Sequence, residues 1–229
     1  MSPANAKPVS ITVGDIGVSG LLLEPPGARA CYVLEHGAGA GMTHPFMAAV
    51  AAELGERGIA TLRYQFPYME RRSRRPDPPK LAHATVRAAV AEALIRLPKL
   101  PLVAGGRSFG GRMTSQAQAL SPLAGVRGLA FLGFPLHPAG RPSQERGRHL
   151  SAVQIPMLFL QGTRDALAEL PQLKPLCAAL GKRATLQLFA DADHSFHVPA
   201  RTGRNDAQVR SEMLDALAGW IDAVAAQAP

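Results

Sequence analysis

The chain has 229 residues, a length that fits one α/β domain spanning residues 1–229 and is short for two domains of ordinary size. Residues 1–10 contain no continuous apolar run, and no later segment approaches the roughly 18 apolar residues of a membrane span. We therefore expect a soluble, cytoplasmic protein without membrane contact. The two cysteines, Cys31 and Cys177, lack the repeated spacing of a disulfide framework or a zinc site, so no metal or cofactor is predicted.

The sequence carries 25 Lys and Arg against 17 Asp and Glu, which gives a formal net charge of +8. Much of the arginine lies in one segment, residues 70–76, which is followed by Pro78 and Pro79. This segment has no aromatic side chain on which a base could stack, so a solvated loop is favoured over a nucleic-acid contact. Nucleic acid is therefore not the expected partner, although binding through Arg71 to Arg75 stays open as an alternative that would weaken steeply with salt.

Short β-prone runs open the chain. Residues 9–13 and 18–23 are separated by Gly-Asp-Ile-Gly and predict a hairpin. Residues 30–35 predict the first buried strand, and the glycine-rich segment 36–41 behind it allows a sharp turn of the chain.

Helices and strands alternate from there on. Thr43 is a candidate cap for a helix that ends near Gly55 to Gly58. Residues 81–97 predict a second helix, which Pro98 and Pro101 end. The remaining predicted strands are 59–64, 101–104, 126–132, 156–160 and 184–189, and the remaining predicted helices are 111–120, 166–180 and 205–225.

This alternation predicts an α/β fold, with a mostly parallel, doubly wound sheet and helices on both faces. In such sheets the reacting groups gather at the carboxyl ends of the strands. Roughly 22 residues separate the strands predicted at 126–132 and 156–160, which leaves no room for a large lid. The site should therefore be open.

Residues 105–111 read Gly-Gly-Arg-Ser-Phe-Gly-Gly and contain a G-x-S-x-G motif centred on Ser108. A predicted strand precedes the motif and a predicted helix follows it. This is the context of a nucleophile elbow, in which the serine occupies a sharp, strained turn and the glycines leave room for the crossing chain. We predict Ser108 as the nucleophile. The alternative is a tight turn in which the serine only caps a helix.

A serine hydroxyl needs a base within hydrogen-bond reach and a group that orients the base. In doubly wound hydrolases these follow in the chain order Ser, Asp or Glu, His, and Asp165 and His194 supply that order, each directly after a predicted strand. Asp165 could instead cap the helix predicted from residue 166, and His194 could be an exposed loop histidine. Asp193 and His197 are rivals for the two roles.

Two backbone amides are predicted to stabilise the developing oxyanion. Phe109 directly follows the candidate nucleophile, and Ala38 lies in the glycine-rich segment after an earlier strand. The sequence thus contains every part that acyl transfer through a serine requires.

Six motifs together resemble the α/β-hydrolase superfamily, in particular its small dienelactone-hydrolase-like branch and the predicted-hydrolase group named after a testis-expressed protein and a chromatin-complex subunit. The resemblance implies the α/β-hydrolase fold, with Ser108 as nucleophile, Asp165 as orienting acid and His194 as base. Dienelactone hydrolases proper use a cysteine nucleophile, so the serine argues against dienelactone as substrate. The motifs are HGAGAGMTHPFM at 36–47, RYQFPYM at 63–69, GGRSFGGR at 105–112, FPLHP at 134–138, LFLQGTRD at 158–165 and DADHSF at 191–196.

Several neighbouring side chains are candidates for substrate contact. Arg107 and Arg63 could bind an acidic substrate group, but pairing with a carboxylate of the protein is the favoured interpretation. Four aromatic or aliphatic residues could line an apolar acyl pocket or pack under loops, namely Phe66, Tyr68, Phe134 and Leu136.

The sequence therefore predicts a metal-free serine hydrolase that cleaves a small ester, thioester or related acyl substrate through an acyl-enzyme. The alternative from another class is a catalytically idle α/β-hydrolase domain that acts as a protein-interaction module. A homo-oligomer is compatible with either prediction.

Overall fold

A computed structural model describes residues 6–73 and 75–227. Arg74 of the predicted basic loop, and residues 1–5 of the opening segment 1–10, lie outside the described residues. The strands are β1 (Lys7–Val13), β2 (Ile16–Leu23), β3 (Ala30–Glu35), β4 (Ile59–Tyr64), β5 (Leu102–Arg107), β6 (Val126–Leu132), β7 (Met157–Gly162) and β8 (Ala184–Phe189).

Helices connect many of these strands along the chain. They are α1 (Pro45–Glu56), α2 (Pro67–Glu70), α3 (Pro79–Arg96), α4 (Phe109–Leu120), α5 (Leu170–Leu180) and α6 (Asp206–Ala225). Short 3₁₀ helices cover Glu145–Ala152, Gly181–Arg183 and Ala200–Thr202.

All of these strands belong to one eight-stranded sheet with the order β1-β2-β4-β3-β5-β6-β7-β8. β1 and β2 form the predicted antiparallel hairpin, and β2 also pairs with β4 in antiparallel fashion. The pairs from β4 to β8 in the spatial order are parallel. The mostly parallel sheet predicted from the sequence is therefore confirmed, and it brings the carboxyl ends of β3, β5, β7 and β8 to one edge.

Each face of the sheet carries its own hydrophobic core. Val86 of α3, Met113 of α4 and Leu173 of α5 pack on one face, whereas Val50 of α1 and Leu217 of α6 pack on the other. The predicted placement of helices on both faces is confirmed. Strands β3, β4 and β7 are buried along their whole length, as expected for parallel strands covered on both faces.

Several helix starts differ from the sequence-based expectation, and α3 and α4 each begin two residues earlier than predicted, at Pro79 and Phe109. The first helix is capped by His44 and not by Thr43, because the Nδ1 atom of His44 accepts the Phe46 N–H at 3.2 Å and Pro45 begins the helix. The helix predicted from residue 166 begins at Leu170. Pro171 then occupies the first turn, where a missing N–H is tolerated.

The strand predicted over 101–104 continues through two glycines to Arg107. Gly105 and Gly106 have φ of +151° and +149°, and a Cβ atom on Gly106 would lie 2.3 Å from the carbonyl oxygen of Glu35. Only glycine lets β5 approach β3 this closely. The extension carries the chain directly to the predicted elbow.

Three further observations concern the predicted absence of a lid, the basic loop and the predicted absence of a membrane span. The segment between β6 and β7 forms the 3₁₀ helix Glu145–Ala152 and, within the described ranges, no inserted lid. In the basic loop, the guanidinium of Arg71 lies 2.6 Å from the buried carboxylate of Asp77, while Arg72 and Arg75 are exposed. No helix in the described part of the chain has the length and apolar character needed to cross a membrane.

Candidate active site

Ser108 alone forms the turn between β5 and α4. Its φ of 50° and ψ of −114° fall in a region that non-glycine residues adopt at a cost of about 1–3 kcal/mol. The Ser108 N–H donates to the carbonyl of Leu132 on β6, and a Cβ atom on Gly110 would lie 2.7 Å from the His36 carbonyl oxygen. The strained turn and the tight glycine contact have the geometry of a nucleophile elbow.

The side chains of Ser108, His194 and Asp165 form a continuous series of contacts. The hydroxyl oxygen of Ser108 lies 2.8 Å from Nε2 of His194, and Nδ1 of His194 lies 2.7 Å from Oδ2 of Asp165. A neutral imidazole that donates Nδ1–H to a carboxylate presents Nε2 as an acceptor for a serine proton. The structure thus brings the three predicted side chains together.

Asp165 is held in place by two further donors. Its Oδ2 accepts from the side-chain amide of Gln161, and its Oδ1 accepts the Leu167 N–H at 2.7 Å. The carboxylate is 2% exposed. Because α5 begins at Leu170, Asp165 does not cap that helix, so its carboxylate has the histidine as a structural partner and not a helix terminus.

The rival residues have other contacts. Oδ1 of Asp193 accepts the N–H groups of Ser195 and His197 at 2.7 and 3.0 Å, which shapes the loop that carries His194. Nδ1 of His197 lies 2.9 Å from a carboxylate oxygen of Asp206 at the start of α6. Both residues therefore position the loop and do not form part of the series from Ser108 to Asp165.

The two predicted oxyanion donors belong to Ala38, in the loop after β3, and to Phe109, the first residue of α4. Within the described residues, neither the Ala38 N–H nor the Phe109 N–H has a hydrogen-bond acceptor in the protein. The next amide along, Gly39 N–H, donates to the hydroxyl of Tyr68 at 3.0 Å. Two amides without acceptors beside a serine hydroxyl are what a tetrahedral oxyanion requires.

His36 fixes the loop that carries Ala38, a role that the sequence did not reveal. Its Nδ1 bonds the Gly37 carbonyl at 2.8 Å, and its Nε2 accepts the Phe66 N–H at 3.2 Å. Burial lowers the pKa of His36 to about 4, so the ring is neutral at physiological pH. A neutral ring can donate from Nδ1 and accept at Nε2 at the same time.

A buried acid lies behind the elbow. Glu35 ends β3, and its Oε2 accepts the Tyr64 hydroxyl at 2.6 Å. Burial raises the pKa of Glu35 well above its ordinary value, because the charged form is penalised away from water. Burial therefore favours the uncharged form of Glu35.

A cavity of about 360 Å³ opens above Ser108. The predicted pocket residues Phe66, Tyr68, Phe134 and Leu136 do not line it, because all four are fully buried in the core. The prediction that they form the pocket wall is therefore wrong, and packing under loops is the correct interpretation. The residues that line the cavity are Gly37, Ala38, Gly39, Ala40, His44, Arg107, Ser108, Leu167 and His194.

The favoured interpretation of the two arginines is also wrong. Among the described residues, neither Arg107 nor Arg63 forms an ion pair with a carboxylate. Arg63 is buried and donates from Nη1 to the Met42 carbonyl at 3.0 Å. Arg107 donates from Nη2 to the Ser195 hydroxyl at 2.8 Å.

A second serine–histidine contact lies on α4. The Ser115 hydroxyl is 2.8 Å from Nε2 of His149, but it donates its proton to the Arg112 carbonyl at 2.9 Å. In the described part of the chain, no carboxylate contacts His149. Burial lowers the pKa of His149 to about 4. This pair therefore lacks the orienting acid that Ser108 and His194 have.

The cavity lining includes residues that sequence reasoning missed, among them His44 and Leu167. Gln161, which bonds both Asp165 and the Phe134 N–H, was also missed. His44 and Gln161 lie inside the motifs at 36–47 and 158–165, but neither motif assigned them a role, and Leu167 lies outside the motifs. Their positions follow from the turns after β3 and β7, which the sequence did not resolve.

Solved structures of other proteins have a fold similar to this one. The fold is similar to that of a dienelactone hydrolase from Anabaena variabilis, with a TM-score of 0.77 and 21% identity over 96% of this chain and 98% of that chain. It is also similar to an α/β serine hydrolase without a lid from Xanthomonas campestris, with a TM-score of 0.73 and 19% identity over 100% of this chain and 99% of that chain.

A third solved structure, a serine hydrolase homologue from Coxiella burnetii, has a TM-score of 0.74 and 17% identity over 93% of this chain and 98% of that chain. At these identities the three structures establish the fold. A family model described as an alpha/beta hydrolase domain matches residues 28–222. The chain therefore belongs to the alpha/beta hydrolase family, and its fold is that of the dienelactone-hydrolase-like branch.

Proposed function

We propose that the protein is a serine hydrolase that cleaves a small ester, thioester or related acyl substrate through an acyl-enzyme. The observation that carries the proposal is the series of contacts from the Ser108 hydroxyl through both ring nitrogens of His194 to the buried Asp165 carboxylate. The dienelactone hydrolase and serine hydrolase descriptions of its structural neighbours support the same class of reaction.

In the first half of the proposed reaction, Ser108 Oγ attacks the substrate carbonyl while Nε2 of His194 takes the hydroxyl proton. The Asp165 carboxylate stabilises the resulting imidazolium and keeps Nδ1–H directed at itself. The carbonyl oxygen becomes an oxyanion that the N–H groups of Ala38 and Phe109 stabilise. When the tetrahedral intermediate collapses, His194 gives its proton to the leaving oxygen or sulfur.

In the second half, water attacks the acyl-enzyme. Nε2 of His194 takes a proton from the water, and His194 returns that proton to Oγ of Ser108 as the second tetrahedral intermediate collapses and releases the acid product. The cavity at Ser108 is open to solvent and no lid covers it within the described ranges. Water can therefore reach the acyl group without a conformational change.

The test is a panel of p-nitrophenyl esters of increasing acyl-chain length, together with an acyl thioester, assayed with wild type, Ser108→Ala and Ser115→Ala. We expect Ser108→Ala to lose on the order of 10⁴-fold or more in kcat. Ser115→Ala is a matched control because it removes the serine of the other serine–histidine contact. Hydrolysis that is equal in wild type and Ser108→Ala would overturn the proposal. A folded wild-type protein that hydrolyses no substrate would favour the interaction module.

A further inference from the structure

Arg107 lies directly before Ser108, and its side chain lines the cavity at the elbow. Nη2 of Arg107 donates to the Ser195 hydroxyl at 2.8 Å, and its Cζ atom lies 4.6 Å from the centre of the Phe46 ring. The stem of the side chain runs past Gly37 in the oxyanion loop. The guanidinium is thus held in one place, between the loop that carries His194 and the start of α1.

Among the described residues, no carboxylate forms an ion pair with Arg107. Within the same ranges no Asp or Glu lines the cavity. The charge of Asp193 acts on Arg107, but Oδ1 of Asp193 accepts the amides of Ser195 and His197. Partial burial lowers the pKa of Arg107 because desolvation penalises the charged form. Six other arginines do pair with a carboxylate, namely Arg29, Arg57, Arg71, Arg96, Arg204 and Arg210.

Most of the donor capacity of this guanidinium is free. An arginine has five N–H donors in a planar fork that matches a carboxylate, and only Nη2 of Arg107 has an acceptor among the described residues. One guanidinium balances a singly charged anion. The net charge of +8 also attracts anionic ligands to the molecule as a whole.

The position of the guanidinium determines which part of the substrate it can reach. In the proposed mechanism, Nε2 of His194 returns its proton to the leaving atom, so the leaving group lies beside His194. Ser195, which accepts from Arg107, is the next residue in the chain. The hydrogen bond to Ser195 holds the guanidinium at the loop that carries His194, which is the loop that faces the leaving group in the proposed mechanism.

We infer that Arg107 binds a carboxylate on the leaving group, so that the preferred substrates are acyl esters or thioesters of a hydroxy or mercapto carboxylic acid. The inference rests on the proposed serine hydrolase function and names the substrate class of the same site. The substrate carboxylate supplies the ion-pair partner that Arg107 lacks among the described residues.

The test compares two acetyl esters whose leaving groups differ in charge, 4-acetoxybenzoate and its neutral methyl ester. The readout is the ratio of kcat/KM for the anionic ester to kcat/KM for the neutral one. We expect Arg107→Gln to lower this ratio by about 10- to 100-fold, the range for loss of a hydrogen bond to a charged group. Arg107→Lys, which keeps the charge but not the fork, should lower it less.

Arg148→Gln is the matched control, because it removes the same charge from a separate groove between the 3₁₀ helix Glu145–Ala152 and α5. It should leave the ratio unchanged. A second substrate pair, 4-nitrophenyl hemisuccinate and its methyl ester, places the charge on the acyl side. The ratio for that pair should not respond to Arg107→Gln. Circular dichroism verifies folding, and if Arg107→Gln does not fold, Arg107→Lys provides the comparison.

Three results would overturn the inference while leaving the proposed function intact. They are an unchanged ratio in Arg107→Gln, an equal fall in Arg148→Gln, or a fall confined to the acyl-side pair, each with continued hydrolysis by wild type. If wild type hydrolyses none of the four esters and a fluorophosphonate does not label it, the proposed function fails and the inference fails with it.

Discussion

The backbone N–H of Gly39 donates to the hydroxyl of Tyr68 at 3.0 Å. This contact joins the loop after β3 to α2, and α2 is itself held by Asp77, which accepts the Tyr68 N–H at 2.8 Å. Burial raises the pKa of Tyr68, so the hydroxyl stays protonated across the physiological range. The contact occupies the Gly39 amide and holds the neighbouring Ala38 amide in the cavity lining.

Removing this hydroxyl should affect catalysis more than stability. We expect Tyr68→Phe to lower kcat about tenfold, less than the 10²–10³-fold for loss of an oxyanion donor itself, with little change in KM. The control is Tyr32→Phe, which removes a buried hydroxyl that donates to the Ala130 carbonyl at 2.8 Å. Both variants should lose about 1 kcal/mol of stability, but only Tyr68→Phe should lose kcat. An unchanged kcat in Tyr68→Phe would show that the contact does not position the loop.

Two carboxylates near His194 should differ sharply in importance. Asp165→Asn should lower kcat by on the order of 10⁴-fold, because an amide neither stabilises the imidazolium nor fixes the tautomer. Asp193→Asn keeps an oxygen that can accept from Ser195 and His197 and should change kcat by less than about tenfold. Steady-state kinetics on one ester distinguish the two variants. Equal losses would contradict the assignment of Asp165.

Two helical glycines should respond to alanine in opposite directions. A Cβ atom on Gly110 would lie 2.4 Å from Cγ of Glu35, whereas one on Gly219 of α6 would have no neighbour within 4 Å. Gly110→Ala should therefore destabilise the protein by about 1–3 kcal/mol through overpacking. Gly219→Ala should stabilise it by about 0.5–1 kcal/mol. Urea unfolding measures both changes, and the same sign for both would contradict the packing at the elbow.

The pair between His197 and Asp206 should make stability depend on pH. The hydrogen bond that His197 donates to Asp206 raises the pKa of His197, so the protonated histidine stabilises the folded state. This contribution is fully present below the ordinary histidine pKa of about 6.5 and is lost as the pH rises through the raised folded-state value.

Wild type should accordingly be more stable than His197→Gln at about pH 5.5, and the difference should shrink by about pH 8.5. Asp206 stays ionised at the lower pH because its own pKa is lowered by the same bond. The free energy of unfolding of both proteins at the two pH values measures the effect. A difference that grows with pH would have the wrong sign.

Much of the fold follows from local sequence patterns. The strands Ala30–Glu35, Ile59–Tyr64, Val126–Leu132 and Ala184–Phe189 have the predicted bounds, because each is a β-prone run bounded by turn residues or helix ends. The predicted start of α5 at residue 166 was wrong, because the Asp165 side chain accepts the Leu167 N–H and holds the turn after β7. Helix periodicity does not encode such a side-chain contact.

The candidate site, too, could be predicted only in part from the sequence. Ser108, Asp165 and His194 follow their strands at positions that the topology brings to one edge of the sheet, so their chain order sufficed to predict that they meet. The cavity wall could not be predicted, because it depends on how far apart loops such as 37–44 and 163–169 lie. The apolar residues Phe66 and Phe134 were assigned to it on hydrophobicity alone, which does not separate a pocket from a core.

The central claim is that Ser108 is an activated nucleophile. The most direct measurement is fluorophosphonate labelling of the folded protein, followed by digestion and mass spectrometry to locate the adduct, in wild type, Ser108→Ala and Ser115→Ala. The account predicts one adduct, on the peptide that contains Ser108, which disappears in Ser108→Ala and in heat-denatured wild type and persists in Ser115→Ala. No adduct on the folded wild type, or an adduct that persists in Ser108→Ala, would contradict it.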